Sequence, residues 1–287
     1  MTIDHTPASC AVNAANIVFV GGGNMASAII TGLLKQGLPA DRLHVIEPDG
    51  DARRRLADQF SVESSATAGA QHGIAELVIW AVKPQLYREA ITACGSLSST
   101  ALHLSVVTGI SCDVIAGWLG TTKVVRCMPN TPALIGKGTT ALYAHADLAA
   151  EHRVQAENIM RATGDCLWVQ DEEQLDAVTA LPGAGPAYVF YFLEAMIAAG
   201  QQMGLSLEQS HSLAIGTFAG ASELARVSEE SPQQLRARVT SKAGTTFAAT
   251  TRMDVTGVKD LFMQAIEAAR LRARELGREY GDARNAK

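Results

Sequence analysis

At 287 residues the chain suits two domains, each large enough to bury its own core, and 47% hydrophobic with 18% charged side chains is an ordinary globular balance. A formal charge of −5 gives no electrostatic reason to expect nucleic acid or an acidic membrane as partner, and no apolar run reaches transmembrane length. The five cysteines (Cys10, Cys94, Cys112, Cys127, Cys166) form no Cys-x-x-Cys pair and the seven histidines show no ligand spacing, so no metal is expected and reduced thiols point to the cytoplasm.

Residues 1–15 lack a basic start and a long apolar core and read as a loose tail, not a signal peptide. From Asn16 to Leu34 the chain reads NIVFVGGGNMASAIITGLL, a β-branched strand, Ile17 to Val20, that passes through a glycine turn into an amphipathic helix. Gly21 allows the sharp turn, Gly23 lets the backbone approach a pyrophosphate, and Ala26 lets helix and strand pack closely. The N–H groups of Asn24, Met25 and Ala26 would then face the anion with the positive end of the helix dipole behind them. Small residues also occur at such turns for packing alone, but the strand before and the helix after favour a dinucleotide site.

Strand-like and helix-like segments alternate to about residue 170. Strands are predicted at Leu43 to Ile46, Leu77 to Val82, Leu102 to Val107 and Val124 to Cys127, with a polar helix over Asp49 to Gln59. This implies a Rossmann-type, doubly wound parallel sheet over residues 16–170, with ligands gathered at the carboxyl ends of its strands. Glu47 ends the second strand, where a carboxylate would accept ribose hydroxyls and repel a 2′-phosphate, favouring NADH over NADPH. Arg53, Arg54 and Arg55 lie nearby and could instead favour NADPH, or could simply solvate a helix face. Ala81, Val82, Lys83 and Pro84 form the next strand end, with Lys83 either at the cleft mouth or a surface lysine beside a structural proline. In RCMPNTP, residues 126–132, Asn130 could meet a carboxamide, or the two prolines and Asn130 could be turn chemistry alone.

Over residues 171–287 strand signals vanish and an all-helical domain is predicted, with helices over Pro186–Met203, Leu207–Val227, Pro232–Val239 and Thr256–Tyr280. Tyr188 to Ala199 is apolar on nearly every face, which calls for burial by neighbouring helices, including those of a second subunit. Glu194 within it reads as a buried carboxylate, paired for structure or placed for catalysis. In VTSKAGTTFAAT, residues 239–250, a loop of Ser241, Lys242, Ala243 and Gly244 delivers Thr245 and Thr246 to a helix start, a place for a carboxylate or for simple N-capping.

These motifs, GGGNMA (21–26), AVKPQ (81–85), MPNTP (128–132), GPAYVF (185–190), VTSKAGTT (239–246) and ARELG (273–277), fall in the order seen in Δ1-pyrroline-5-carboxylate reductases, and the chain resembles that family over nearly its whole length. The resemblance implies hydride transfer from NADPH or NADH to the C=N bond of 1-pyrroline-5-carboxylate, giving L-proline. It also implies that Thr246 binds the ring nitrogen, that the Thr245 and Thr246 N–H groups hold the carboxylate beside Ser241 and Gly244, and that Glu229, adjoined by Glu230, lies near the same pocket. Lys83, Pro84 and Asn130 would flank the nicotinamide. The helical domain would form a homodimer, and dimers could build a ring. Two departures stand out: Pro182 and Ala184 replace hydroxyl-bearing serines, and Ala243 replaces a glycine, which requires that position to avoid a strongly positive φ. The rival readings are another imine reductase, a β-hydroxyacid dehydrogenase-like enzyme with a lysine in place of the hydroxyls, and a non-catalytic dinucleotide sensor.

Overall fold

A computed structural model describes residues 15–95, 97 and 100–281. The expected tail and Cys10 lie outside these, except Ala15, which is buried rather than loose. The described chain forms two compact units, one of residues up to Gly183 together with those from Ala269 onward, the other Ala184–Ala268. Residues 171–183 and the end of the last helix thus group with the sheet, not with the helices beside them in sequence.

The first unit holds β1 (Ile17–Val20), α1 (Asn24–Lys35), β2 (Leu43–Ile46), α2 (Gly50–Phe60), β3 (Glu63–Ser65), β4 (Leu77–Trp80), α3 (Tyr87–Ala93), β5 (Leu102–Ser105) and α4 (Cys112–Leu119). It continues with β6 (Val124–Met128), β7 (Gly138–Ala144), α5 (Ala150–Arg161), β8 (Gly164–Trp168) and α6 (Gln174–Val178). The eight strands lie in the order β3-β2-β1-β4-β5-β6-β7-β8. Successive side chains of a strand point to opposite faces, and both faces are filled. Ile17 and Phe19 pack with Ala26, Ile29 and Leu33 of α1, whereas Val18 and Val20 pack with Tyr87, Ile91 and Ile115. Two buried faces explain why β1 and β4 are apolar throughout.

One expectation is corrected. The sheet is not wholly parallel, because β7 runs antiparallel to β6. Only residues 129–137 join them, short of the dozen or so that a parallel crossover needs. A parallel neighbour follows once α5 supplies such a crossover to β8. The strands β4 and β5 are also shorter than predicted, stopping at Trp80 and Ser105.

The second unit holds α7 (Gly185–Gln202), α8 (Leu207–Val227), α9 (Pro232–Arg238), α10 (Thr245–Val255) and the first part of α11 (Val258–Gly281). Capping boxes at Ser206 with Gln209 and at Ser231 with Gln234 begin α8 and α9. Phe262 meets Tyr188 and Phe192 edge-on, at centroid distances of 5.5 and 5.4 Å. Few residues of this unit are buried, and Phe190, Tyr191, Leu213, Leu224 and Leu261 are all more than half exposed. Glu194, expected to be buried, is exposed within the single chain. Among the described residues, no helix is long and apolar enough to cross a membrane.

Candidate active site

The carboxyl ends of β1, β2 and β4 meet at the glycine turn. Gly21 has φ +98°, and its N–H donates to the Ile46 carbonyl at 2.9 Å. A Cβ there would sit 2.6 Å from the Ala81 carbonyl oxygen, so only glycine fits between these strand ends. Gly23 has open space on the corresponding side, so nothing obstructs a ligand at the turn. It is the N-cap of α1 and offers no side-chain acceptor to the helix. The N–H groups of Asn24, Met25 and Ala26 therefore start a helix without a side-chain cap, as an anion site requires. A turn shaped this way fits a dinucleotide pyrophosphate.

Glu47 sits half-buried beside this turn. Its Oε2 accepts from the Gly22 N–H at 2.8 Å and its Oε1 from the Asp49 N–H at 2.9 Å. Arg53 folds back, donating to the carbonyls of Glu47 and Pro48, both at 2.7 Å, and Arg54 pairs with Asp51. Arg53 is thus engaged with the strand end and does not merely solvate a helix face. Asp49 caps α2 through the Asp51 and Ala52 N–H groups, which hold its carboxyl below the usual carboxylate range.

Ala81 and Val82 are half-buried after β4, where the Ala81 N–H donates to the Val20 carbonyl at 2.8 Å. Lys83 is exposed, caps the turn that Pro84 begins, and makes no side-chain cap to it. Asn130 is half-buried and ties its own turn to two other segments. Its Oδ1 accepts from the Thr139 N–H at 2.9 Å and its Nδ2 donates to the Pro182 carbonyl at 3.0 Å. Each end of the amide thus has one partner inside the protein, with one N–H and one lone pair left over.

Sequence reasoning missed a polar pair that begins on β6. Arg126, 7% exposed in the middle of β6, donates to Glu172 Oε1 at 2.7 Å, and the same oxygen accepts from the Cys112 N–H at 2.7 Å. The partners are 46 positions apart, so no local spacing could signal them. Burial raises the Cys112 thiol to about 12, with Glu172 adding to the shift, and raises that of Cys166 to about 12 as well, so neither is a thiolate at neutral pH. Among the described residues no cluster of three or more His, Cys, Asp or Glu could hold a metal ion.

In the second unit, Ser241 to Gly244 form a tight turn, closed by the Gly244 N–H donating to the Ser241 carbonyl at 3.1 Å. Ala243, its third residue, has φ +62°, the sign a type II turn requires there. The expectation that alanine keeps this position out of positive φ is therefore wrong. The turn geometry prevails over the cost to alanine, about 1–2 kcal/mol in the left-handed region. Gly244 is the N-cap of α10 and supplies no side-chain acceptor. Neither Thr245 nor Thr246 occupies the cap position, which removes the simple capping alternative. Thr246 is half-buried and Thr245 exposed. Glu229 is exposed, while its neighbour Glu230 pairs with Arg238 at 2.6 Å.

A model of the pyrroline-5-carboxylate reductase dimerisation family matches residues 172–276, and one of the NADP oxidoreductase coenzyme F420-dependent family matches residues 16–109. A pyrroline-5-carboxylate reductase of Pseudomonas aeruginosa is 42% identical over 270 residues, 92% of this chain and 98% of that protein. The chain belongs to the pyrroline-5-carboxylate reductase family. The Haemophilus influenzae relative is 38% identical, over 91% of this chain and 97% of its own. Among solved structures, a pyrroline-5-carboxylate reductase from Coxiella burnetii is 35% identical, with a TM-score of 0.83, covering 92% of this chain and 99% of that one. The Plasmodium falciparum pyrroline carboxylate reductase, solved with NADP bound, is 25% identical with a TM-score of 0.84, covering 93% and 100%. The dimerisation match falls on the helices whose large apolar side chains are exposed in the single chain, and the oxidoreductase match on the glycine turn.

Proposed function

We propose that the protein reduces 1-pyrroline-5-carboxylate to L-proline in the cytoplasm, the closing step of proline synthesis. The observation that carries this reading is the start of α10, where a tight turn presents Thr245 and Thr246 with no side-chain cap, in a chain of this family.

A reduced nicotinamide would supply the hydride. The N–H groups of Asn24, Met25 and Ala26 would hold its pyrophosphate, with Gly21 and Gly23 shaping the turn, and Ala81, Val82, Lys83 and Pro84 would border the nicotinamide. Glu47 favours NADH, since its carboxylate can accept further hydrogen bonds from ribose hydroxyls and would repel a 2′-phosphate.

The N–H groups of Thr245 and Thr246 bind the substrate carboxylate, beside Ser241 and Gly244, with Glu229 at the pocket's edge. The Thr246 hydroxyl binds the ring nitrogen and fixes the imine carbon for attack, so acceleration comes mainly from orientation. A neutral hydroxyl is a poor acid at pH 7, so the nitrogen's proton arrives on an iminium or through water, with Thr246 orienting it. The exposed apolar side chains of α7, α8 and α11 are covered in a homodimer, and dimers assemble into a ring.

Purified protein mixed with pyrroline-5-carboxylate should oxidise NADH, and NADPH more slowly, with proline as product. Elution at the monomer mass at micromolar concentration would refute the dimer.

A further inference from the structure

We infer that Glu47 is a positioning residue, a latch whose carboxylate ties the glycine turn after β1 to the connection after β2 and so sets the affinity for either nicotinamide dinucleotide. This rests on the dinucleotide reading of that turn. A residue serving the ribose alone would keep its carboxylate open. Instead each oxygen already accepts a backbone N–H, Oε2 from Gly22 at 2.8 Å and Oε1 from Asp49 at 2.9 Å. Hydrogen bonds to a carboxylate are stronger than neutral ones, and these two come from different loops. The Gly22 side of the latch is closely fitted. A Cβ there would lie 2.6 Å from Leu56 Cδ1 and 3.4 Å from Glu47 Cγ, so the stem of Glu47 and α2 wall the turn in. Arg53 fixes the other end by donating to the Glu47 and Pro48 carbonyls, both at 2.7 Å.

The latch and the ribose role predict different patterns. Glu47→Gln puts an amide nitrogen where an acceptor is needed. Glu47→Asp keeps the charge but is one methylene too short to span both loops. The dissociation constant for NADH, followed by nicotinamide fluorescence without turnover, should rise about tenfold or more in both variants, the scale of one charge-assisted hydrogen bond, and that for NADPH should rise as much in Glu47→Asp, which keeps the charge that opposes a 2′-phosphate. The dinucleotide KM should rise in step with these constants, by a larger factor than kcat falls. NADPH bound by Glu47→Asp as tightly as by wild type would overturn the latch and leave the dinucleotide reading standing. Wild-type protein that binds neither dinucleotide would overturn that reading itself. Glu47→Asp, which retains the carboxylate, decides the matter should Glu47→Gln fail to fold.

Discussion

Asn130 reaches across the fold to hold the carbonyl of Pro182 at 3.0 Å, joining the turn after β6 to a residue where this chain departs from its family's usual serine. The same amide accepts from the Thr139 N–H at 2.9 Å and so also fixes the start of β7. Asn130→Asp should therefore be costly although it is isosteric, because it sets one oxygen against another at Pro182. We expect a loss of about 1–3 kcal/mol in urea unfolding, the scale of a part-buried group left unpaired. A midpoint equal to that of wild type would show that the bond to Pro182 carries no stability.

Arg126 and Glu172 make a second test of stability. With 9% and 24% of their side chains exposed, the pair is well shielded but not sealed. Glu172→Ala leaves a cation with little water around it and strips the Cys112 N–H of its acceptor. The expected cost is about 3 kcal/mol, at the low end for breaking a buried pair. Arg126→Met in the Glu172→Met background should recover much of it, since an apolar pair has no charge to desolvate. Failure of the double variant to exceed Glu172→Ala in stability would contradict this account.

Ala243, at φ +62°, offers a stabilising change. Ala243→Gly relieves the strain of about 1–2 kcal/mol and loosens the unfolded chain by about 0.4–1 kcal/mol, leaving a gain of about 0.5–1 kcal/mol. A lower melting temperature for Ala243→Gly would show that the turn carries no strain.

His44 and His72 set a pH dependence. Their rings lie 4.2 Å apart at the amino end of the sheet, and burial lowers both below 6.5, with His72 further lowering His44 and Glu63 opposing it. The His72 Nδ1 accepts from the Gly69 N–H at 2.7 Å, which suits the neutral ring. Below pH 6.5 the unfolded chain takes up protons that the fold resists, so stability is fully present above 6.5 and declines as the pH falls through the folded-state values. Thermal midpoints should drop between pH 7 and 5, and less steeply in His44→Gln. A slope unchanged by that substitution would exclude His44 as a source.

The sheet was legible where chemistry is local. IVFV followed by GGGNMA marks the strand, the turn and the helix start, because each depends on neighbours in sequence. The antiparallel β7 was missed, although the nine residues before it were too few for a parallel crossover. Asn130 was visible as a motif residue, but its partners were not. Asn130 contacts Pro182, 52 positions away, and such pairings follow from tertiary packing, not from spacing. The same holds for Glu47, whose carboxylate reaches Gly22 across 25 positions. In α7 the composition implied burial, whereas Tyr191 is 69% exposed in one chain. The homodimer proposed above supplies the missing cover.

Thr246→Ala isolates the role of the hydroxyl at the start of α10. Removing the hydroxyl while keeping the backbone N–H should reduce turnover of pyrroline-5-carboxylate about 100-fold, the scale expected for a misplaced reactant. Cofactor dissociation constants and melting temperature should stay close to wild type. Turnover within a few-fold of wild type, or equal losses of turnover and cofactor affinity, would contradict the account in which Thr246 orients the imine for hydride transfer.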